Sequence, residues 1–390
     1  MSDISETRNQ AKRIGGEAFM PPSRSPWQET WFQLRKNRMA LTGLVIFIFF
    51  FVIAVTGLFV TGGSDPILDP ARVRLPEKLR PPLSSPKTDT LRPEELPALG
   101  IYLLGTDDLG RDVFARMLQG AWVSLTVGFV AVGIAVGIGI LLGGIAGYYG
   151  RFSLQLGHLL VGVLVFSASV FAIYGWLWPA ALLLFFITIV FVSSHKRLRH
   201  PSPSSRSLRW LMLPTLQVDT LIMRAVDIML CFPSFFLILT VVALLPPSIY
   251  NIMVIIGLTS WMGTTRFVRA EFLSLREMDF VAAARALGIS DTRIIFRYIM
   301  PNAVAPVLVS ATLGIASAML TEAGLSFLGF GVPPPHATWG NILSDGKAYI
   351  FDAPWLTFAP GIVILIVVLA FNLFGEGMRD ILNPKLRERN

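Results

Sequence analysis

Four histidines and one cysteine are the side chains with which this 390-residue chain could ligate a metal or attack a substrate covalently, and their placement supports neither. His158, His195, His200 and His336 are scattered, without the helical spacing that brings two imidazoles onto one ion. His158 reads as an interfacial residue instead. A lone Cys231 excludes an intrachain disulfide framework and any multi-cysteine metal site. The chain also lacks His-Glu-x-x-His, the phosphate-binding Gly-x-x-x-x-Gly-Lys-Ser/Thr and the nucleophile turn Gly-x-Ser-x-Gly. It therefore reads as a non-enzyme with no catalytic, metal-binding or cofactor-binding residues, and without its own means of hydrolysing ATP.

The polar residues that stand out lie elsewhere. Asn251, Thr259, Ser260, Asn302 and Asn372 fall in apolar surroundings, where a polar group needs a partner or water. They could line a translocation path or bond between helices. Arg224 and Asp227, three apart, could pair on one helix. Glu322 and Glu376 fall near expected membrane interfaces and read as anchors.

Composition explains why so few polar groups remain. Charged residues are 15% of the chain against a typical ~25% in soluble proteins, hydrophobic residues are 53%, and the mean hydropathy is +0.62. An all-α integral membrane protein follows, because each crossing needs ~20 apolar residues with all backbone groups satisfied internally. Uncharged stretches predict eight spans: 39–60, one within 117–150, a hairpin at 157–177 and 180–192, two halves of 228–265 split by Pro246-Pro247, 300–320 and 358–374. The first is a retained span, not a cleaved signal, since 38 mostly polar residues precede it.

The expected organisation is a cytoplasmic tail 1–38 with an interfacial helix near 27–34, a first span 39–60 and a proline-rich periplasmic segment 61–119. A short amphipathic helix before Gln119 leads to a span over 120–150. An insertion, 151–217, holds the hairpin and a basic loop; the core follows at 218–378, and a tail at 379–390. Placing both termini in the cytoplasm puts 24 Lys and Arg inside and 9 outside, as the positive-inside rule requires. The net charge of +8 then divides into +11 inside and −3 outside, which removes the need for nucleic acid. Gly133/Gly137 and Gly139/Gly143/Gly147 repeat at four-residue spacing, which suits close helix packing in lipid rather than phosphate binding.

The charged loop 266–301 carries most of the functional signal. Asp279 is an expected N-cap, with Phe280, Val281, Ala284 and Leu287 on one apolar face and Gly288 as the stop. Ser290 or Asp291 would cap a second helix, 292–300, with Ile294, Ile295 and Tyr298 on one side, before Pro301 ends or bends it. A DNA-binding helix-turn-helix has a similar outline, so a membrane-anchored sensor is the alternative reading. Both ends, however, are tied to spans, and the loop's net charge is only +2. A small amphipathic knob suits a groove on a cytoplasmic protein better.

Asp279–Gly288, followed by Pro301-Asn302, resembles the signature loop of permease subunits of binding-protein-dependent ABC importers. Ala282 stands where that signature often has glutamate, with Ala283 and Ala284 matching its two alanines. The runs 104–116, 324–335, 339–341 and 371–380 resemble the second, C-type permease of peptide and nickel importers, and the likeness covers about four-fifths of the chain. It implies a type I ABC importer transmembrane domain of six core helices, here with an inserted two-helix hairpin, in a bacterial inner membrane. It further implies a homologous second permease, two cytoplasmic ATPases that bind ATP and Mg, and a periplasmic or lipoprotein solute-binding protein. Asp279, Ala282, Ala283, Ala284, Arg285, Gly288, Ser290 and Asp291 would then carry the ATPase contact. Arg276, Arg285 and Arg293 are the candidate charged contacts around its cleft. Two added crossings would keep everything downstream of the insertion in its orientation.

Overall fold

The computed structural model describes residues 26–63, 66–87, 89, 91–92, 95–150, 153–155 and 214–382. Helix α1 (Pro26–Lys36) covers the stretch 27–34 where a helix was expected. One residue later α2 (Arg38–Thr61) begins, with the Asn37 side chain accepting the Ala40 N–H at 3.1 Å. The described residues between 66 and 112 are irregular, with a short 3₁₀ turn at Leu75–Glu77, as eight prolines over 61–100 led us to expect.

Helix α3 (Val113–Tyr149) corrects one expectation. The amphipathic turn before Gln119 and the following span are one helix of 37 residues, capped by Asp112. Nothing breaks it, because the stretch has no proline and one charge, Arg116. Two short antiparallel strands follow, β1 (Ser153–Gln155) and β2 (Pro214–Gln217). The expected hairpin and the basic loop, within 156–213, lie outside the described residues.

Beyond the ribbon come α4 (Val218–Leu230) and α5 (Ser234–Leu244), bent by 79° at Cys231-Phe232-Pro233. The expected straight span 228–245 is thus a broken one: Pro233 has no N–H to continue the ladder. Then follow α6 (Ile249–Arg276), α7 (Asp279–Ala286), α8 (Asp291–Phe327), α9 (Trp339–Gly346) and α10 (Trp355–Leu382). The second loop helix does not end at Pro301 but continues as α8. A π-helical turn over Ile295–Ile299, with Met300 N–H donating to Ile295 O, precedes the proline that has no N–H for the ladder.

Among the described residues, α2, α3, α8 and α10 are long and apolar enough to cross a membrane, and the bent pair would make a fifth crossing. At 28 residues α6 has the length, but Asn251, Thr259, Ser260, Thr264 and Thr265 make it more polar. In the most apolar 18-residue stretch of each of these four helices 22–39% of residues are buried within the chain, which leaves apolar surface for lipid or other subunits.

One apolar cluster joins α2, α3, α6, α8, α9 and α10 around Phe50, Val127, Ile252, Ile256, Met319, Trp339 and Phe371. α3 and α6 form the most extensive pair. A Cβ on Gly139, Gly143 or Gly147 would lie 2.5–2.6 Å from Thr264, the Thr265 carbonyl or Phe272 of α6, whereas at Gly133 and Gly137 it meets nothing within 4 Å. Only the second half of the glycine repeat is packing surface. Gly143→Ala should therefore cost about 1–3 kcal/mol of overpacking, while Gly137→Ala changes little. Thermal unfolding of the two variants in detergent checks this, and equal midpoints would refute it.

Candidate functional site

The 266–301 loop has the expected helix–glycine–helix layout, with different details. Met278 occupies the N-cap position of α7 without a side-chain bond, and Asp279 is the first helical residue, near the positive end of the helix dipole. Leu287 N–H donates to Ala283 O, Gly288 N–H to Arg285 O (2.9 Å) and Ile289 N–H to Ala284 O (3.1 Å). With Gly288 at φ +71°, this is a Schellman turn, which satisfies the last carbonyls of α7. Ser290 sits at the next N-cap position, also without a side-chain bond, and Asp291 begins α8.

The expected single apolar face is in fact two. Val281 and Ala284 are buried against Phe272, Ile294 and Ile299, whereas Phe280 and Leu287 point outward, Leu287 at 80% exposure. Met278, Ala282, Ala283 and Gly288 are exposed with them. The inner pair seats α7 on the bundle, and the outer residues leave an apolar ridge without a partner in this chain.

Of the three candidate arginines, Arg276 is not available to a partner. It is 8% exposed and its Nη1 donates to the carbonyls of Gly147 (3.2 Å) and Tyr148 (3.1 Å) at the C-terminal end of α3. A cation there also complements the dipole of α3. Arg285 lies over the Tyr148 ring at 5.5 Å, and Arg293 is exposed. The Tyr148 hydroxyl donates to Asp291 Oδ1 at 2.5 Å. Nearby, Arg269 of α6 forms a two-pronged ion pair with Asp219 of α4. Asp227 pairs with Arg266 at 2.5 Å rather than with Arg224 as expected. Both members of that pair are about half exposed, so it contributes little.

The five candidate path residues are not brought together by bonds to one another. Thr259 is buried and returns its hydroxyl to Ile255 O at 2.7 Å, and Ser260, exposed, does the same to Ile256 O. Asn251 donates to Pro246 O and Asn302 to Tyr298 O, four residues back. Asn302 and Asn372 are exposed. Local back-bonding gives Asn251, Thr259, Ser260 and Asn302 a partner within their own segment.

At the opposite end of α3 stands a cluster whose motif was visible but whose partners were not. Gly105 and Gly110 adopt φ +75° and +73°, folding Thr106–Asp112 into a tight turn. At Gly110 a Cβ would sit 1.8 Å from the Arg74 carbonyl. Asp107, fully buried, accepts the N–H groups of Leu109 and Arg111 through one oxygen. The other takes Arg111 Nε at 2.6 Å and Arg116 Nη1 at 2.5 Å. Arg116 reaches on to Asp345 of α9 at 2.9 Å. Burial pushes the carboxyls of Asp108 and Asp112 up and raises the Tyr102 phenol to about 12. Glu322, expected as an interfacial anchor, is instead 1% exposed and accepts Ser326 Oγ at 2.7 Å. The Trp339 indole, at the start of α9, donates to Met117 O at 3.1 Å.

Helices long and apolar enough to span a membrane, and a small amphipathic helix offered at one end of the bundle, fit an integral membrane subunit that works with other proteins. Residues 210–388 match the binding-protein-dependent transport system inner membrane component family, and residues 25–82 match the N-terminal transmembrane domain of oligopeptide transport permease C. The chain is 35% identical to the dipeptide transport system permease protein DppC of Alkalihalophilus pseudofirmus, over 93% of this chain and 91% of that one. It is 32% identical to the Haemophilus influenzae protein of the same name, over 94% and 97%. With the oligopeptide permease OppC of Bacillus subtilis identity is 28%, over 95% and 94%.

The chain thus belongs to the family of binding-protein-dependent transport system inner membrane components, and its fold is the type I transmembrane domain of ABC importers. It is a multi-pass permease subunit of the C type, not an enzyme. The helix-turn-helix sensor is left without support.

Proposed function

We propose that this permease imports di- or oligopeptides across the bacterial inner membrane by alternating access, together with a homologous permease, two cytoplasmic ATPases that bind ATP and Mg, and an extracytoplasmic binding protein. The observation that carries the reading is the exposed ridge Met278, Phe280, Ala283 and Leu287 on a helix firmly seated from behind. Such a ridge fits an apolar groove in the ATPase, and the names of the relatives supply the peptide. In this reading both termini and α7 are cytoplasmic, and residues 66–112 with α9 are external. Asp279, Ala282, Ala283, Arg285, Gly288, Ser290 and Asp291 form or frame the docking surface, while Ala284 anchors it from beneath. Ser260, Asn302 and Asn372 supply exposed hydroxyl and amide groups, and Asn251 a half-buried one, to a path completed by the second permease, with Thr259 behind them.

ATP binding brings the two ATPases together, and the energy for switching access is the difference in their affinity for the two states. Purification of the tagged chain from native membranes should recover two ATPases, one further permease and a binding protein. Vesicles holding that assembly should then accumulate a labelled dipeptide only with ATP. Uptake of a non-peptide solute in its place would sink the substrate assignment and leave the permease role standing.

A further inference from the structure

The 266–301 loop grips a helix to which it is not directly connected. Three successive parts of the loop converge on the last residues of α3. Arg276, before α7, holds the Gly147 and Tyr148 carbonyls; Arg285, within α7, covers the Tyr148 ring; Asp291, after α7, accepts the Tyr148 hydroxyl. Tyr148 is itself 7% exposed and packed with Phe272, Val281 and Ile294. Gly144 and Gly147 give the Phe272 ring its place against α3, which brings the two helices close enough for the grip.

The rest of α3 gives this contact its reach. At 1.5 Å per residue the helix is roughly 55 Å long, and no proline interrupts it. Arg116, near its other end, is locked between Asp107 and Asp345 of α9. A push on α7 can pass through the chain to α6 and α8 in any case. Passage into α3, and so to the α9 end, depends on noncovalent contacts, and most of the polar ones meet at Tyr148.

We propose that Tyr148 is a positioning residue that transfers movement of α7 into α3, with its hydroxyl bond to Asp291 as the essential link. The proposal rests on the reading of α7 as the ATPase-docking helix. Tyr148→Phe keeps the ring beneath Arg285 and the apolar packing, and removes only the hydroxyl. Asp291→Asn removes the charge at the other end of the same bond.

The test uses the complete transporter in proteoliposomes and compares dipeptide uptake per ATP hydrolysed, with copurification of the ATPases and thermal stability as controls. Y148F and D291N should each lower uptake per ATP about tenfold, the scale of one charge-assisted hydrogen bond. The double variant should be no worse than either single one, and the ATPases should still copurify with Y148F, whose side chain lies beneath the docking surface. Wild-type uptake per ATP in Y148F, or additive losses in the double variant, would overturn the proposal. So would loss of the ATPases together with a large drop in stability, which would mark a purely structural role. The docking reading is tested separately by Gly288→Ile. Normal uptake in both Y148F and G288I removes that reading as well, whereas normal uptake in Y148F alone leaves it in place.

Discussion

Replacing Gly288 with isoleucine should abolish uptake while leaving the permease in the membrane. The residue sits at φ +71°, where a side chain meets backbone at a cost of about 1–2 kcal/mol for an ordinary L-residue and more for a β-branched one. A Cβ there has nothing within 4 Å in this chain, so the damage comes from the backbone rather than from crowding. Relief of that strain opens the Schellman turn, frees the carbonyls of Ala284 and Arg285, and turns the outer ridge away from its partner. A graded series separates conformation from bulk. Asparagine tolerates the left-handed region better than alanine although it is larger, so uptake should fall in the order Gly, Asn, Ala, Ile. If asparagine is worse than alanine, crowding at the ATPase groove is the cause. Full substrate-stimulated ATP hydrolysis in the isoleucine variant would end the docking role.

The second large effect belongs to Asp107. Its removal leaves Arg116, 4% exposed at its side chain, with only Asp345, and frees the Leu109 and Arg111 amides. Breaking one side of a buried ion network costs about 3–5 kcal/mol, a large share of the ~5–15 kcal/mol that holds a typical fold together. Asp107→Ala should therefore collapse the thermal midpoint in detergent, and with it the yield of purified permease. Asp345→Ala, at a carboxylate 34% exposed, should cost far less, since Arg116 and Arg111 both keep Asp107. Similar midpoints for the two variants would show that the cluster does not hold α3 to the external layer.

Charge-free runs revealed α2 almost to its ends, because a spanning helix cannot hide its composition, whereas α10 continues through Glu376 and Arg379 beyond the expected end at 374. The same signal failed where a charge or a proline had a different meaning. Arg116 looked like the edge of a span, but a buried and doubly paired arginine need not end a helix. Pro233 lay unnoticed within an uncharged run and broke it, since hydropathy does not register the missing N–H. In the 266–301 loop the glycine turn was legible because Gly288 is the one residue type that fits it freely. Which apolar residues faced inward was not legible: Val281 and Leu287 are equally apolar, and only the packing of Phe272 and Ile294 decides between them. Nothing in the sequence named a partner for Tyr148. Its partners lie more than 120 residues downstream, as does the Asp345 partner of Arg116.

The β1–β2 ribbon holds two distant parts of the chain together. Ser153 pairs with Gln217 and Leu154 with Leu216, so the chain departs and returns side by side. Two ends held within one strand spacing, ~4.8 Å, lie on one side of any bilayer. Any reporter fused just before β1 must therefore share a compartment with one fused just after β2.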